Sequence, residues 1–330
     1  MKRIAINGMG RIGRAALKVI LDTPSLDLIA VNDIVSIENI AYLLKYDSVY
    51  GIYEKDVTHD SDNLIIDGVK IKYNSTRNPE ELPWKENNIE VVIESTGFFT
   101  SQEDAEKHIT AGAKTVVISA PTKSAETPTI VHGVNSEDGT TSVFSCASCT
   151  TNNISPVVEI LGRRIGIKKA IMTTVHAYTA SQSMVDGPSG KNFRMGRAGA
   201  ANLVPTTTGA AIATTKALPE FAGKFDGVAI RVPIPVGSLS DLTFVTERAV
   251  TAEEVNAIFK EESETARYKD VLATTTDPIV SSDIVKSPYA STVDLAMTRV
   301  VDGDLLKVMT WYDNEWGFTN QMIRQIQEVN

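Results

Sequence analysis

The chain is short of several things at once. Its 330 residues include only two cysteines, Cys146 and Cys149, and four histidines, His59, His108, His132 and His176. Two cysteines three positions apart, with no other partner, exclude a secreted disulfide framework. Histidines scattered this widely make no zinc ligand set, so no metal is expected. No stretch approaches about eighteen uninterrupted apolar residues, so no membrane span is expected. The basic start Met1-Lys2-Arg3 leads into an apolar run too short for a signal peptide. Positive charge is scarce as well: 32 Lys and Arg against 41 Asp and Glu leave a net charge of -9. The resulting pI of about 5.1 argues against nucleic acid as the main partner. It leaves room for a locally positive pocket, whose field is set by its own lining. A cytoplasmic enzyme or binding protein is the expectation.

What is present is ordinary in bulk, 42% hydrophobic and 22% charged, and the length suggests two domains. Short apolar runs at 4–6, 28–31, 91–94 and 116–119 alternate with helix-like stretches at 11–21 and 103–111. Such repetition predicts an α/β domain with a parallel sheet covered on both faces. From about Thr150 the texture changes, and alternating runs at 171–176, 228–232, 241–247 and 305–312 suit a sheet with one covered face. Helices are expected after Gly209, after Thr251, where Thr251-Ala252-Glu253-Glu254 has the form of a capping box, and over 320–329. Residues 178–203 lack periodicity and are too long for an ordinary connection, which marks them as functional or as a subunit contact.

Gly8-Met9-Gly10-Arg11-Ile12-Gly13 has the G-x-G-x-x-G spacing between a strand and a helix. Its glycines allow a tight turn, close approach of backbone to a pyrophosphate, and close helix–strand packing. The helix N-terminus then offers free N–H groups to phosphate. Asp33 follows twenty residues after the last glycine, where an acid bonds the adenosine ribose hydroxyls and repels a 2′-phosphate. NAD is favoured over NADP on that ground.

Cys149 lies in Ser145-Cys146-Ala147-Ser148-Cys149-Thr150-Thr151-Asn152-Asn153, small and polar, just before an apolar stretch at 154–161. A cysteine at a helix N-terminus near an imidazole has its thiol activated. His176 lies toward the end of an expected strand and supplies such an imidazole. The residues alone leave two readings open: a nucleophile–base pair, or two buried structural side chains.

Taken together, the motifs resemble the phosphorylating glyceraldehyde-3-phosphate dehydrogenases of the glycolytic type, almost end to end. The resemblance is carried by the segment from Ile6 to Arg14, by Lys45-Tyr46-Asp47-Ser48, and by Glu94-Ser95-Thr96-Gly97-Phe98-Phe99. It continues through residues 147–152, 172–176 and 205–211, and Trp311-Tyr312-Asp313-Asn314-Glu315-Trp316-Gly317. It implies a Rossmann-type NAD-binding domain over 1–148, with a C-terminal helix at about 315–330 packing back on it. The rest, 149–314, is implied to be an α+β catalytic domain with a mostly antiparallel sheet. By resemblance, Cys149 attacks the aldehyde, His176 takes the protons, and a thioester is released by inorganic phosphate. Thr179 and Arg231 are implied to hold the substrate phosphate, and Ser148, Thr150, Thr208 and Gly209 the incoming phosphate. Arg11 and Ile12 are placed at the pyrophosphate, Asp33 at the ribose, Asn314 at the nicotinamide amide, and Arg77, Thr96 and Ser119 elsewhere in the cofactor site. Pro188 is implied to reach the adenine side from a neighbouring subunit of a homotetramer. The expected substrates are glyceraldehyde 3-phosphate and inorganic phosphate.

Other readings stay open at this point. They are a hydrolytic relative acting on erythrose 4-phosphate, an NADP-linked relative, disfavoured by Asp33 and Pro188, and a binding protein that has lost catalysis. Arg194 and Arg197, with Lys191, either add positive field or form a solvated face. For Arg231 the plainer alternative is a structural ion pair, and for Thr208-Gly209 a plain helix cap. The sequence also departs from the family pattern at Asn153, Cys146, Phe318, Gln321, Ser181 and Met195, none of which removes a group the chemistry requires. The Cys146–Cys149 spacing allows a protective disulfide, but a small buried thiol is the favoured reading of Cys146.

Overall fold

A computed structural model describes residues 1–136, 141–190 and 192–329; Lys191 lies outside the described residues. The chain divides into two compact units. One comprises Met1–Ile130, Ser136–Ala147 and Met322–Asn330, the other Val131–Asn135 and Ser148–Gln321.

The first unit is built on a sheet in which the strands at Val143–Ser145, Thr115–Ile118, Val91–Glu94, Lys2–Asn7, Leu26–Asn32 and Val69–Asn74 are neighbours in that order, all parallel. Two further strands, Asn63–Ile66 and Val57–His59, extend it antiparallel. Val91–Glu94 and Thr115–Ile118 are buried at almost every position, which explains their unbroken apolar sequence. Helices α1 (Arg11–Leu21), α2 (Ile37–Lys45) and α3 (Gln102–Thr110) connect the strands. α1 buries Ala15, Ala16, Leu17 and Ile20, spaced as one helical face. The chain leaves Lys2–Asn7 toward one side and later returns to Val91–Glu94 on the other. That reversal opens a crevice beyond the carboxyl ends of these two neighbours, where α/β sheets bind ligands.

The second unit holds a mixed, mostly antiparallel sheet, ordered Val204–Thr207, Phe225–Val232, Ile167–Ala177, Ser238–Thr246, Leu305–Tyr312, Ser291–Asp294, Leu272–Thr275. Ser238–Thr246 alternates strictly between buried and half-buried residues, as a sheet with one covered face requires. Helix α4 (Cys149–Arg164) packs on it and is buried along most of its length, from Thr150 to Leu161. α5 (Ala210–Ala217) and α6 (Ala252–Ser263) complete the layer. Thr251 caps α6 through the Glu254 amide at 3.2 Å. Among the described residues of 178–203 there is one short 3-10 turn at Phe193–Gly196, and the others are irregular.

The closing helix α7 (Trp316–Glu328) starts earlier than the 320–329 its periodicity suggests, and close to the 315–330 that the resemblance implies. Asp313 Oδ1 accepts the amides of Glu315 and Trp316 at 2.9 and 2.7 Å. That cap lets the Trp-Gly-Phe turn, poor in helix formers, open the helix.

Candidate active site

The crevice of the first unit has a volume of about 510 Å³ and is lined by Asn7, Gly8, Gly10, Asn32, Asp33 and Ile34, then Thr76, Arg77, Ser95, Thr96, Phe98 and Phe99. The three glycines divide their work as the spacing implies. Gly8 has φ +97°, and a Cβ there would lie 2.6 Å from the Thr96 nitrogen. At Gly13 a Cβ would meet the Gly8 carbonyl oxygen at 1.9 Å, so helix and turn touch only because both residues are glycine. Gly10 precedes the first turn of α1 and faces open space, which leaves room for a phosphate at the helix N-terminus. Asp33 Oδ2 accepts the Met9 amide at 2.6 Å and Oδ1 the Val35 amide at 3.0 Å, fixing the carboxylate at the crevice wall. These residues fit a dinucleotide. Arg11 and Ile12 begin α1, and the Arg11 side chain bonds Asp47 at 2.6 Å. Ser119 follows Thr115–Ile118, its amide bonded to the Glu94 carbonyl oxygen at 2.9 Å.

In the second unit the chain enters α4 through Ser148, whose Oγ accepts the Thr151 amide at 3.0 Å. Just before it, Ala147 holds φ +60°, a left-handed conformation that costs a non-glycine residue energy and recurs at functional sites. Cys149 is the first residue of α4, and its Sγ lies 3.4 Å from His176 Nε2. His176 projects from the strand Ile167–Ala177, beside Arg231 in the paired register of Phe225–Val232. The Ala177 carbonyl oxygen lies 2.7 Å from His176 Nδ1 and accepts from Arg231 at 3.0 Å. The guanidinium thus sits 2.5 Å from the imidazole. Burial, with the Arg231 charge second, pushes His176 down to about 3. Burial also raises the Cys149 thiol, while Arg231 and hydrogen bonds from Thr150 pull it back.

Tyr312 stands behind this pair. Its hydroxyl bonds Thr150 Oγ1 and Thr174 Oγ1, both at 2.9 Å, and its ring meets His176 edge-on. Reading the residues one by one missed it, because it lies 163 positions after Cys149 and only strand pairing brings it near. Asn314 is buried, its amide oxygen held by Gly237 N–H and Ser238 Oγ–H at 3.2 and 3.0 Å. Ser238 Oγ in turn accepts the Ala177 amide at 3.1 Å, tying Asn314 to the His176 strand. Ser148, Cys149, Thr150, His176, Arg231 and Asn314 are therefore one connected set.

The remaining positions are engaged locally: Thr179 with Ser181 at 2.9 Å, and Thr208 with the Ala210 amide at 3.2 Å, ahead of Gly209 at the start of α5. Pro188 is exposed. Arg197 pairs with Asp186 at 2.8 Å in an exposed contact, so the solvated face describes it better than a field on the substrate. Asn153 bonds Ala290 O, Thr310 Oγ1 and Trp311 O, and Gln321 the carbonyl oxygens of Asp270 and Pro288; both hold elements together. Cys146 is a buried thiol outside any disulfide, and burial pushes its pKa up, which makes it an inert side chain rather than a poised one.

A dinucleotide crevice at the switch point of a parallel sheet, with a cysteine–histidine pair in a second domain, defines the class of NAD-dependent oxidoreductases. Comparison with known proteins narrows this class. Residues 2–102 match the glyceraldehyde 3-phosphate dehydrogenase NAD binding domain, and residues 148–314 the C-terminal domain of the same family. Glyceraldehyde-3-phosphate dehydrogenase 2 of Streptomyces avermitilis is 48% identical over 325 residues, covering 97% of this chain and 96% of its own. The enzyme of Clostridium pasteurianum is 45% identical over 333 residues, 99% of this chain and 98% of its own. Glyceraldehyde-3-phosphate dehydrogenase 1 of Bacillus subtilis is 44% identical over 324 residues, 97% and 96% respectively. The chain belongs to the glyceraldehyde 3-phosphate dehydrogenase family.

Proposed function

We propose that the protein oxidises and phosphorylates D-glyceraldehyde 3-phosphate to 1,3-bisphosphoglycerate through a thioester on Cys149. The observation that carries this is the 3.4 Å approach of Cys149 Sγ to His176 Nε2 at the start of α4. Cys149 adds to the aldehyde carbon as His176 Nε2 takes the thiol proton and passes it to the carbonyl oxygen, giving a thiohemiacetal. Bound NAD supplies the hydride acceptor that converts it to a thioester. His176 assists by taking the hydroxyl proton. Inorganic phosphate then attacks the thioester carbon, Cys149 leaves as the thiolate, and the acyl phosphate departs. The thioester conserves the free energy of oxidation that hydrolysis would dissipate.

Arg231 and Thr179 hold the substrate phosphate in this reading, and Ser148, Thr150, Thr208 and Gly209 the incoming one. Hydroxyls, amides and a guanidinium are the groups that suit phosphate oxygens. The Arg231 contact adds a coupling. A phosphate dianion on the guanidinium offsets the charge that depresses His176, so the imidazole becomes a better base when substrate is in place. On the cofactor side, Gly8, Gly10, Arg11, Ile12, Gly13, Asp33, Arg77, Thr96, Ser119 and Asn314 serve NAD, with Asp33 opposing a 2′-phosphate.

The assembly we propose is a homotetramer in the cytoplasm, with Pro188 serving a neighbour's adenine side. Supporting it, the segment around Pro188 exposes Met184, Val185, Phe193 and Leu203, each more than two-thirds accessible, an apolar display that suits a subunit contact.

The test is to mix protein, NAD and aldehyde in phosphate-free buffer and weigh the protein. The expected product carries a 3-phosphoglyceroyl group on Cys149. Rapid NADH formation with no acyl adduct, even when quenched within the first turnover, would overturn the thioester route.

A further inference from the structure

Beneath the crevice of the first unit lies a buried polar chain that the chemistry above does not use. Glu94, His108 and Trp84 are almost completely inaccessible. Trp84 Nε1–H, which can only donate, points at His108 Nδ1 at 2.9 Å. Nδ1 must therefore be the bare nitrogen, and Nε2 carries the proton, which it gives to Glu94 Oε2 at 3.1 Å. A second arm is fixed from the backbone. The Thr76 amide donates to Asn32 Oδ1 at 2.9 Å, so Asn32 Nδ2 donates to Asn7 Oδ1 at 2.7 Å, and Asn7 Nδ2 donates to Glu94 Oε2 at 2.6 Å. On the other oxygen, Glu94 Oε1 accepts the Thr96 amide at 2.8 Å and the Thr96 hydroxyl. Every hydrogen-bond direction is set, and all converge on one carboxylate. Four members of the network line the crevice: Asn7 and Thr96, which bond the carboxylate directly, Asn32, one step removed, and Thr76, two steps removed.

We propose that Glu94, His108 and Trp84 are positioning residues for the cofactor, holding two walls of the crevice from beneath through hydrogen bonds of fixed direction. The inference rests on the crevice being the NAD site. The Thr96 turn and Asn7, which precedes Gly8, belong to the two strands between which the crevice opens. Without the carboxylate, the Thr96 turn loses the acceptor of two of its donors, and Asn7 and His108 are left facing no oxygen.

The experiment is a double-mutant cycle read by NAD titration. Glu94→Gln keeps the shape but places an NH2 opposite Asn7 Nδ2 and His108 Nε2–H, a clash of donors. NAD binding is expected to weaken about tenfold or more. The loss should appear in KM for NAD far more than in kcat, with the alkylation rate of Cys149 unchanged. Trp84→Phe removes the donor that fixes the His108 tautomer. In the Glu94→Gln background the imidazole can then move its proton to Nδ1 and accept at Nε2, so NAD affinity should recover in part, with Asn7 Nδ2 still facing the amide NH2. Loss of packing alone predicts the opposite, a double variant weaker than either single one. Unchanged NAD affinity in Glu94→Gln, or no recovery in the double variant, would overturn the proposal. Nitrogen NMR of the native protein is a check independent of any variant: His108 should be the Nε2–H tautomer, and an Nδ1–H signal contradicts the network. If the native chain binds no NAD, the reading of the crevice itself fails.

Discussion

Cys149→Ser should reduce NAD-dependent aldehyde oxidation by about 10⁴-fold or more, while NAD titrates into the variant as into the native protein. The exchange is nearly isosteric, but a serine hydroxyl is a far weaker nucleophile than a thiolate at neutral pH. Its ester would also be a poorer acyl donor to phosphate than a thioester. The helix start survives, because Ser148 rather than Cys149 caps α4. The glycine turn, Asp33 and the crevice belong to the other unit, so cofactor binding is expected to persist. Steady-state NADH formation and an NAD titration check both halves. A variant that keeps more than a few per cent of native turnover would remove the covalent mechanism.

His176→Asn has two expected effects, in catalysis and in acid stability. Losing the proton acceptor 3.4 Å from the thiol should slow turnover by about 10² to 10⁴, and should slow alkylation of Cys149 at neutral pH. The stability effect follows from burial. In the folded chain His176 is pushed from its ordinary 6.5 down to about 3. Above about 6.5 the group is neutral in both folded and unfolded chains and contributes no pH dependence. Between 6.5 and 3 only the unfolded chain takes up the proton, so stability falls as pH falls, by roughly 1.4 kcal/mol per unit from this residue. His176→Asn removes that slope, and its acid unfolding midpoint should lie below that of the native protein. Urea unfolding followed at several pH values between 4 and 7 measures it. Parallel slopes in the two proteins would show that His176 is protonated as easily folded as unfolded.

Much of the frame was legible in the sequence because its signals are local. An apolar run such as 91–94 and a glycine turn such as Gly8 to Gly13 each carry their instruction within a few residues. The buried strands of the first sheet and the alternation at Ser238–Thr246 could be read for the same reason. Short edge strands such as Val57–His59 and Leu272–Thr275 could not, since three or four residues give too little periodicity. The start of α7 was hidden because its cap, Asp313, compensates for an unpromising first turn.

The candidate site shows the same division. Cys149 and His176 could be singled out by residue type and context, but their pairing depends on the packing of α4 against the sheet that carries His176. Tyr312 and the chain from Trp84 to Glu94 depend on contacts between residues 14 to 162 positions apart. No periodicity announces a histidine in the last turn of α3 as the partner of a strand-end carboxylate. The depressed pKa of His176 likewise comes from burial first and then from Arg231, fifty-five positions away. What sequence supplies is the chemical inventory, and what the fold adds is the juxtaposition that tunes it.

The most direct test of the account is NADH formation from glyceraldehyde 3-phosphate and NAD, with and without inorganic phosphate. The account predicts that sustained turnover requires phosphate and that, without it, NADH formation stops after about one equivalent per active site. Equal, continuous turnover in both conditions would contradict it and point to hydrolysis of the acyl-enzyme, with erythrose 4-phosphate the next substrate to try.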